Sequence, residues 1–211
     1  VQIEDSRGNI AQPDENGNYM YLPGSDEFDQ VNAFYYTTFS LRMYERYARR
    51  SLPWAFPSAR IKIDTHVGNE ANAFYDEGNQ MLGFHTFTYE GRELSTAQSA
   101  DIVSHEAAHA ILDGMRDLYN ESFGLGARAF HESFSDITTV LVALHDDSLI
   151  RRLLKWTDGN LRMTTFVSEV AERLVQLTQE GGDYLSEHTL YLRNAFNQFK
   201  FMPFDDLPFQ S

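Results

Sequence analysis

The string His105-Glu106-Ala107-Ala108-His109 places three chemically capable side chains at a spacing that a helix makes useful. Residues i and i+4 share a helix face, so two imidazoles can close on one metal ion. Glu106 lies beside that face, where its carboxylate can take a proton from water at the metal. The bland alternative for so short a string is a helix with polar residues facing solvent. Its neighbours argue otherwise: Ile102, Val103, Ala107, Ala108, Ala110, Ile111 and Leu112 are too apolar for a solvated helix. Buried histidines beside a buried glutamate need partners, because uncompensated buried charge is expensive. One divalent metal would serve all three.

A catalytic zinc uses three protein ligands and a water. The metzincin pattern would put a glycine at 112 and a third histidine at 115; Leu112 and Met115 exclude that class. The other common solution is a glutamate on a following helix. Glu132 and Asp136 share one helical face in Phe130-His131-Glu132-Ser133-Phe134-Ser135-Asp136. Glu132 would bind zinc, and Asp136 would accept the free ring N–H of a ligating histidine, fixing its tautomer. With no cysteine in the chain, zinc ligands must be His, Asp or Glu, and no disulfide reports a redox compartment. His131 neighbours Glu132 but is expected to point off the metal face in a structural role. His66, His85 and His145 have no ligand-like spacing.

The elements that must position these residues divide near residue 95, giving an N-terminal α/β lobe (1–95) and a C-terminal helical lobe (96–211). Residues 1–27 are rich in Gly, Asn, Asp and Pro. Apolar and aromatic residues recur at helical spacing from Asp29 to about Arg50, with Phe34, Tyr35, Tyr36 and Phe39 read as core. Pro53 and Pro57 end that stretch. Ile61, Ile63 and Thr65 alternate with polar residues as a strand. Ala73-Phe74-Tyr75 and Met81–Phe87 are predicted as strands around an Asp76–Asn79 turn. Ser95-Thr96-Ala97-Gln98 fits a capping box for the metal helix, with Gly114 near its end. Further helices are predicted over 128–144, 148–156, 164–179 and 184–199. The class is α+β: a mixed β lobe with one long helix, and a mostly helical lobe.

Composition narrows the function classes. Hydrophobic residues at 42% and aromatics at 14% argue for a folded globule rather than disorder. A formal net charge of -14 weighs against nucleic acid or an anionic membrane as partner. The densest apolar run, Val140–Leu144, is too short to span a bilayer. No signal peptide is visible, and Val1 in place of Met fits a processed or excised piece of something longer.

Residues 101–110 and 132–136 together resemble the thermolysin-like metallopeptidases, the gluzincin group. Asn72-Ala73-Phe74-Tyr75 looks like that family's substrate-binding edge strand. The resemblance follows the family order over residues 29–145. It implies a β lobe and an α lobe meeting at a zinc cleft, and endopeptidase hydrolysis of peptide or protein substrates with Glu106 as general base. It also implies binding of the substrate backbone by Asn72 and Ala73. Tyr119 and His188 would be oxyanion donors, Asp183 the orienter of His188, and Arg162 the group gripping a substrate carbonyl. Each has an ordinary alternative: a packed aromatic, an exposed helical pair, a surface arginine and a turn-initiating Asn72. The family habit of secretion is the basis for an extracytoplasmic location.

The chain also departs from the family pattern. Ala143 stands where an acidic calcium ligand is expected, so no paired calcium site is predicted; Asp101 and Asp146-Asp147 leave room for a single calcium ion. The competing reading is a non-catalytic zinc-containing relative acting as a binding module. Against it, Glu106 has no use in a merely structural site, and no fourth protein ligand is evident. An aminopeptidase branch is a third reading, opposed by the lack of an exopeptidase signature near Asn72.

Overall fold

The computed structural model describes residues 1–89, 91–118, 124–162 and 165, and the backbone alone at 125, 169–170 and 193–194. Helix α1 (Asp26–Ala48) starts three residues earlier than its apolar pattern suggests. The Ser25 hydroxyl caps it by accepting the Phe28 amide, and Asp26, Glu27 and Asp29 face the positive end of the helix dipole. Arg49, at φ 52°, ends it in the left-handed region. Its aromatic residues are only partly the core that periodicity predicts: Tyr36 packs against the core and Phe39 is half-buried, but Phe34 and Tyr35 are 44% and 55% exposed. The buried face is instead Asp29, Gln30, Ala33, Thr37, Ser40 and Met43. Small side chains on that face let α1 lie close against the metal helix.

Four short strands form the main sheet. β1 (Gln2–Glu4), β2 (Lys62–Asp64) and β4 (Met81–Phe84) run parallel, and β3 (Ala73–Asp76) is antiparallel to β4 at the sheet edge. The expected strand over 81–87 is broken at His85. There the chain leaves the sheet and enters a separate hairpin of β5 (Thr86–Tyr89) and β6 (Arg92–Ser95). The His85 amide is held at the break by the Asn72 carbonyl and the Thr96 hydroxyl.

Ser95 caps a short 3-10 turn, Thr96–Gln98, rather than the metal helix. The metal helix, α2 (Ala100–Met115), begins one turn later behind Ser99, whose hydroxyl bonds the Asp101 carboxylate. Gly114 is the next-to-last residue of α2, near its end as expected. A Cβ there would stand 2.1 Å from the Pro53 carbonyl oxygen, so glycine is what allows α2 to press against the Pro53–Trp54 backbone. α3 (Gly124–Ala143) packs along α2, and α4 (Asp147–Thr157) follows, capped by the Asp146 carboxylate.

One hydrophobic cluster unites these elements: Ile61, Ile63, Leu82 and Phe84 from the sheet region, Ala33 from α1, and Val103, Ala107 and Ile111 from α2. Full burial of each large member contributes roughly 1.5–3 kcal/mol. The apolar residues that make the HExxH segment unlike a surface helix are thus its anchor.

The helices expected over 164–179 and 184–199 lie mostly outside the described residues. Where the backbone is described, it is extended: β7 (Glu169–Val170) pairs antiparallel with β8 (Arg193–Asn194). Helical spacing misled there because a two-residue ladder leaves no periodicity to read. Among the described residues, no helix is long and apolar enough to cross a membrane.

Candidate metal centre and its cleft

His105 and His109 are buried one turn apart on α2, and their Nε2 atoms approach to 3.2 Å. Glu132 reaches across from α3, with carboxylate oxygens 3.3 Å from His105 Nε2 and 3.5 Å from His109 Nε2. Ligands at about 2.0–2.1 Å around a tetrahedral zinc stand roughly 3.3 Å apart. The three observed separations match that edge, and the two-imidazole, one-carboxylate set suits zinc chemically. Among the described residues, this trio is the arrangement of His, Asp and Glu side chains able to hold an ion.

The outer nitrogens of both rings are also held. His105 Nδ1 lies 3.0 Å from Asp136, one turn beyond Glu132 on α3. His109 Nδ1 lies 3.3 Å from Nδ1 of His131, and the two rings stack at 5.4 Å between centroids. His131 therefore does not join the ligand group, yet it supports a member of it. Burial holds its pKa below the ordinary imidazole value, against the opposing pull of Glu132. A neutral ring can offer His109 a lone pair. Sequence spacing gave no sign of this contact, which depends on how α3 crosses α2.

A cleft of about 490 Å³ opens over the trio. Its walls are Asn72–Tyr75 on one side, Glu106 with the two histidines along the floor, and Leu118, Arg128, His131 and Glu132 opposite. β3 forms the first wall and is an edge strand among the described residues, so no described strand pairs with its outer side. Asn72 is exposed at the start of β3, and its side-chain oxygen accepts the Ala73 amide. The Phe74 ring lies over Gly83, where a Cβ would stand 2.3 Å from it.

Sequence reasoning also missed the link that holds this wall to the floor. The Tyr75 hydroxyl donates to the Asp113 carboxylate at 2.8 Å, with both residues buried. That bond joins the middle of β3 to the last turn of α2. The strand that carries Tyr75 was legible; the tyrosine's partner was not.

Tyr119, Asp183 and His188 lie outside the described residues. Arg162 is exposed past the end of α4 and is not among the described residues that line the cleft. Asp101 sits in the first turn of α2, accepting the Ser99 hydroxyl and the Ile102 amide.

No curated protein matches the chain. A similar solved structure is the precursor of protealysin, a metalloproteinase from Serratia proteamaculans, at 21% identity and a TM-score of 0.45. The match covers 68% of this chain and 43% of that one, so the chain spans less than half the length of that relative. The thermolysin metallopeptidase catalytic domain matches residues 4–113, just over half of the 211, taking in β3, both histidines and Glu106 but stopping before Glu132. By that match the chain belongs to the thermolysin family of metallopeptidases.

Proposed function

We propose that the chain is a zinc-dependent endopeptidase in which Glu106 is the general base. The observation that carries this reading is the convergence of His105, His109 and Glu132 at tetrahedral spacings beneath a cleft that also exposes Glu106. His105, His109 and Glu132 would hold the zinc. When bound, zinc acidifies a water molecule and polarises a peptide carbonyl. Glu106 takes the proton from that water and delivers it to the leaving amine. Asp136 and His131 keep the two imidazoles turned so that Nε2 of each faces the ion. An extended peptide adds to the outer edge of β3, with Asn72 and Ala73 bonding its backbone.

The resemblance extends the proposal to residues away from the trio. Tyr119 and His188 would donate to the developing oxyanion, Asp183 would orient His188, and Arg162 would grip a carbonyl through paired N–H groups. The lobes 1–95 and 96–211 would flank the cleft, and the family habit of secretion supports a location outside the cytoplasm.

The test is hydrolysis of a mixed quenched-fluorescent peptide library. A chelator should abolish cleavage and added zinc should restore it. Glu106→Gln should lower kcat by about 10²–10⁴-fold while keeping the metal. A folded, zinc-loaded chain that cleaves nothing would overturn the enzyme and leave a zinc-containing binding module.

A further inference from the structure

We propose that Arg128 makes this cleft select a carboxylate on the substrate, within about two residues of the bond to be cut. The inference rests on the peptide-cleft reading above and adds a substrate class to it. Arg128 lies on α3 one turn before Glu132, is exposed, and lines the same cleft. Glu106 and Glu132 are the acidic residues of that lining, so among the described residues Arg128 is its one fixed cation. The chain as a whole carries a net charge of -14. Its general field repels an acidic peptide, and away from the metal position Arg128 is the lining side chain that opposes this.

Position sets the reach. Four residues of helix advance about 6 Å along the axis. An extended peptide advances roughly 3.3 Å per residue. A chain laid along β3 with its reacting carbonyl at the trio, and running in line with α3, would therefore bring a side chain about two residues away alongside Arg128. A guanidinium has five N–H donors in a planar fork, which matches a carboxylate with two parallel bonds. Five donors allow the guanidinium to meet an incoming carboxylate while keeping a contact within the protein. Two sources supply the same chemistry: an Asp or Glu side chain, or the free C-terminus of a short peptide.

Peptide sets differing only by Glu, Gln or Lys, at each of two positions either side of a fixed scissile pair, test this. Each is made with a free and an amidated C-terminus. kcat/KM is measured for zinc-loaded wild type, Arg128→Gln and Arg128→Glu. Fluorescence anisotropy of the labelled peptides on the zinc-loaded Glu106→Gln variant, with and without Arg128→Gln, reads binding alone. The wild type should favour the carboxylate by about ten-fold or more, the range of a charge-assisted bond. Arg128→Gln should erase that ratio, and Arg128→Glu should turn it toward Lys-containing peptides. Preference that follows the Glu position identifies a side chain; preference that follows the free acid identifies the terminus. An equal ratio in wild type and Arg128→Gln, or no discrimination by the wild type, overturns the proposal. Selective anisotropy without turnover would sink the peptidase and keep this inference. Turnover without carboxylate preference would do the reverse.

Discussion

Two settings in which the described residues bury a histidine differ, and the difference explains why one is a candidate metal centre. At His105 and His109 like groups converge: two Nε2 atoms 3.2 Å apart face each other, with carboxylate oxygens completing the triangle. At His66 unlike groups alternate. Its Nδ1 lies 3.0 Å from Asp5 and its Nε2 3.4 Å from Asp26, with Asp29 at 3.9 Å. Asp64 accepts the His66 amide and the Ser6 hydroxyl, and Arg7 bridges Asp26 to Glu93. Ring nitrogens that meet carboxylates form a set that closes on itself, tying residues 1–11 to the start of α1. Lone pairs that meet lone pairs ask for a cation. Counting His and Asp residues would rank the two clusters the other way.

The comparison can be broken in four ways, the largest effect first. His109→Ala should lose both zinc and hydrolysis while the chain stays folded, read by metal content beside circular dichroism; a variant that keeps its zinc would remove the trio from contention. His66→Leu should do the opposite. It strands buried carboxylates and should cost about 3–5 kcal/mol in urea unfolding, with zinc stoichiometry unchanged.

Asp29 sharpens the second setting. Desolvation pushes its carboxyl up to about 6, against hydrogen bonds from Ser95 and Gln98 and the nearness of His66. Its folded pKa therefore exceeds the unfolded value near 3.9, and the native state binds the extra proton between about pH 4 and 6. Stability should fall as pH rises through that window, by up to about 3 kcal/mol. Asp29→Asn should flatten the profile and raise stability at pH 7.5; an unchanged slope would show that the carboxyl is not desolvated. The smallest effect belongs to the first setting: Asp136→Ala should weaken zinc binding about 10–100-fold with a small change in stability. Equal affinity would mean that the His105 ring needs no outer partner.

The sequence made the trio and Asp136 legible because they depend on local spacing along two helices. Residues i and i+4 meet wherever a helix forms, and both helices form. The contacts it hid are set by how elements cross. His131 against His109 and Tyr75 against Asp113 join residues far apart in the chain. Phe34 and Tyr35 of α1 misled, while Tyr36 packs against the core, because periodicity shows which residues share a side and not which side is buried. Here Ala33, Thr37 and Ser40 take the inside, since only a thin face fits against α2. Gly114 was legible as a residue near the end of the metal helix, whereas its close approach to Pro53 is encoded in no local pattern.

The open edge of β3 has a consequence for what this cleft would accept. A peptide laid along four residues of strand must bring its own unpaired N–H and C=O groups in extended form. Segments already paired inside a folded sheet or helix have none to lend, and a proline lacks the N–H. Loop tips and frayed termini supply such backbone most readily. The edge would therefore judge a target by its local unfolding before any side chain is read, sparing well-folded proteins and cutting the same chains once they loosen.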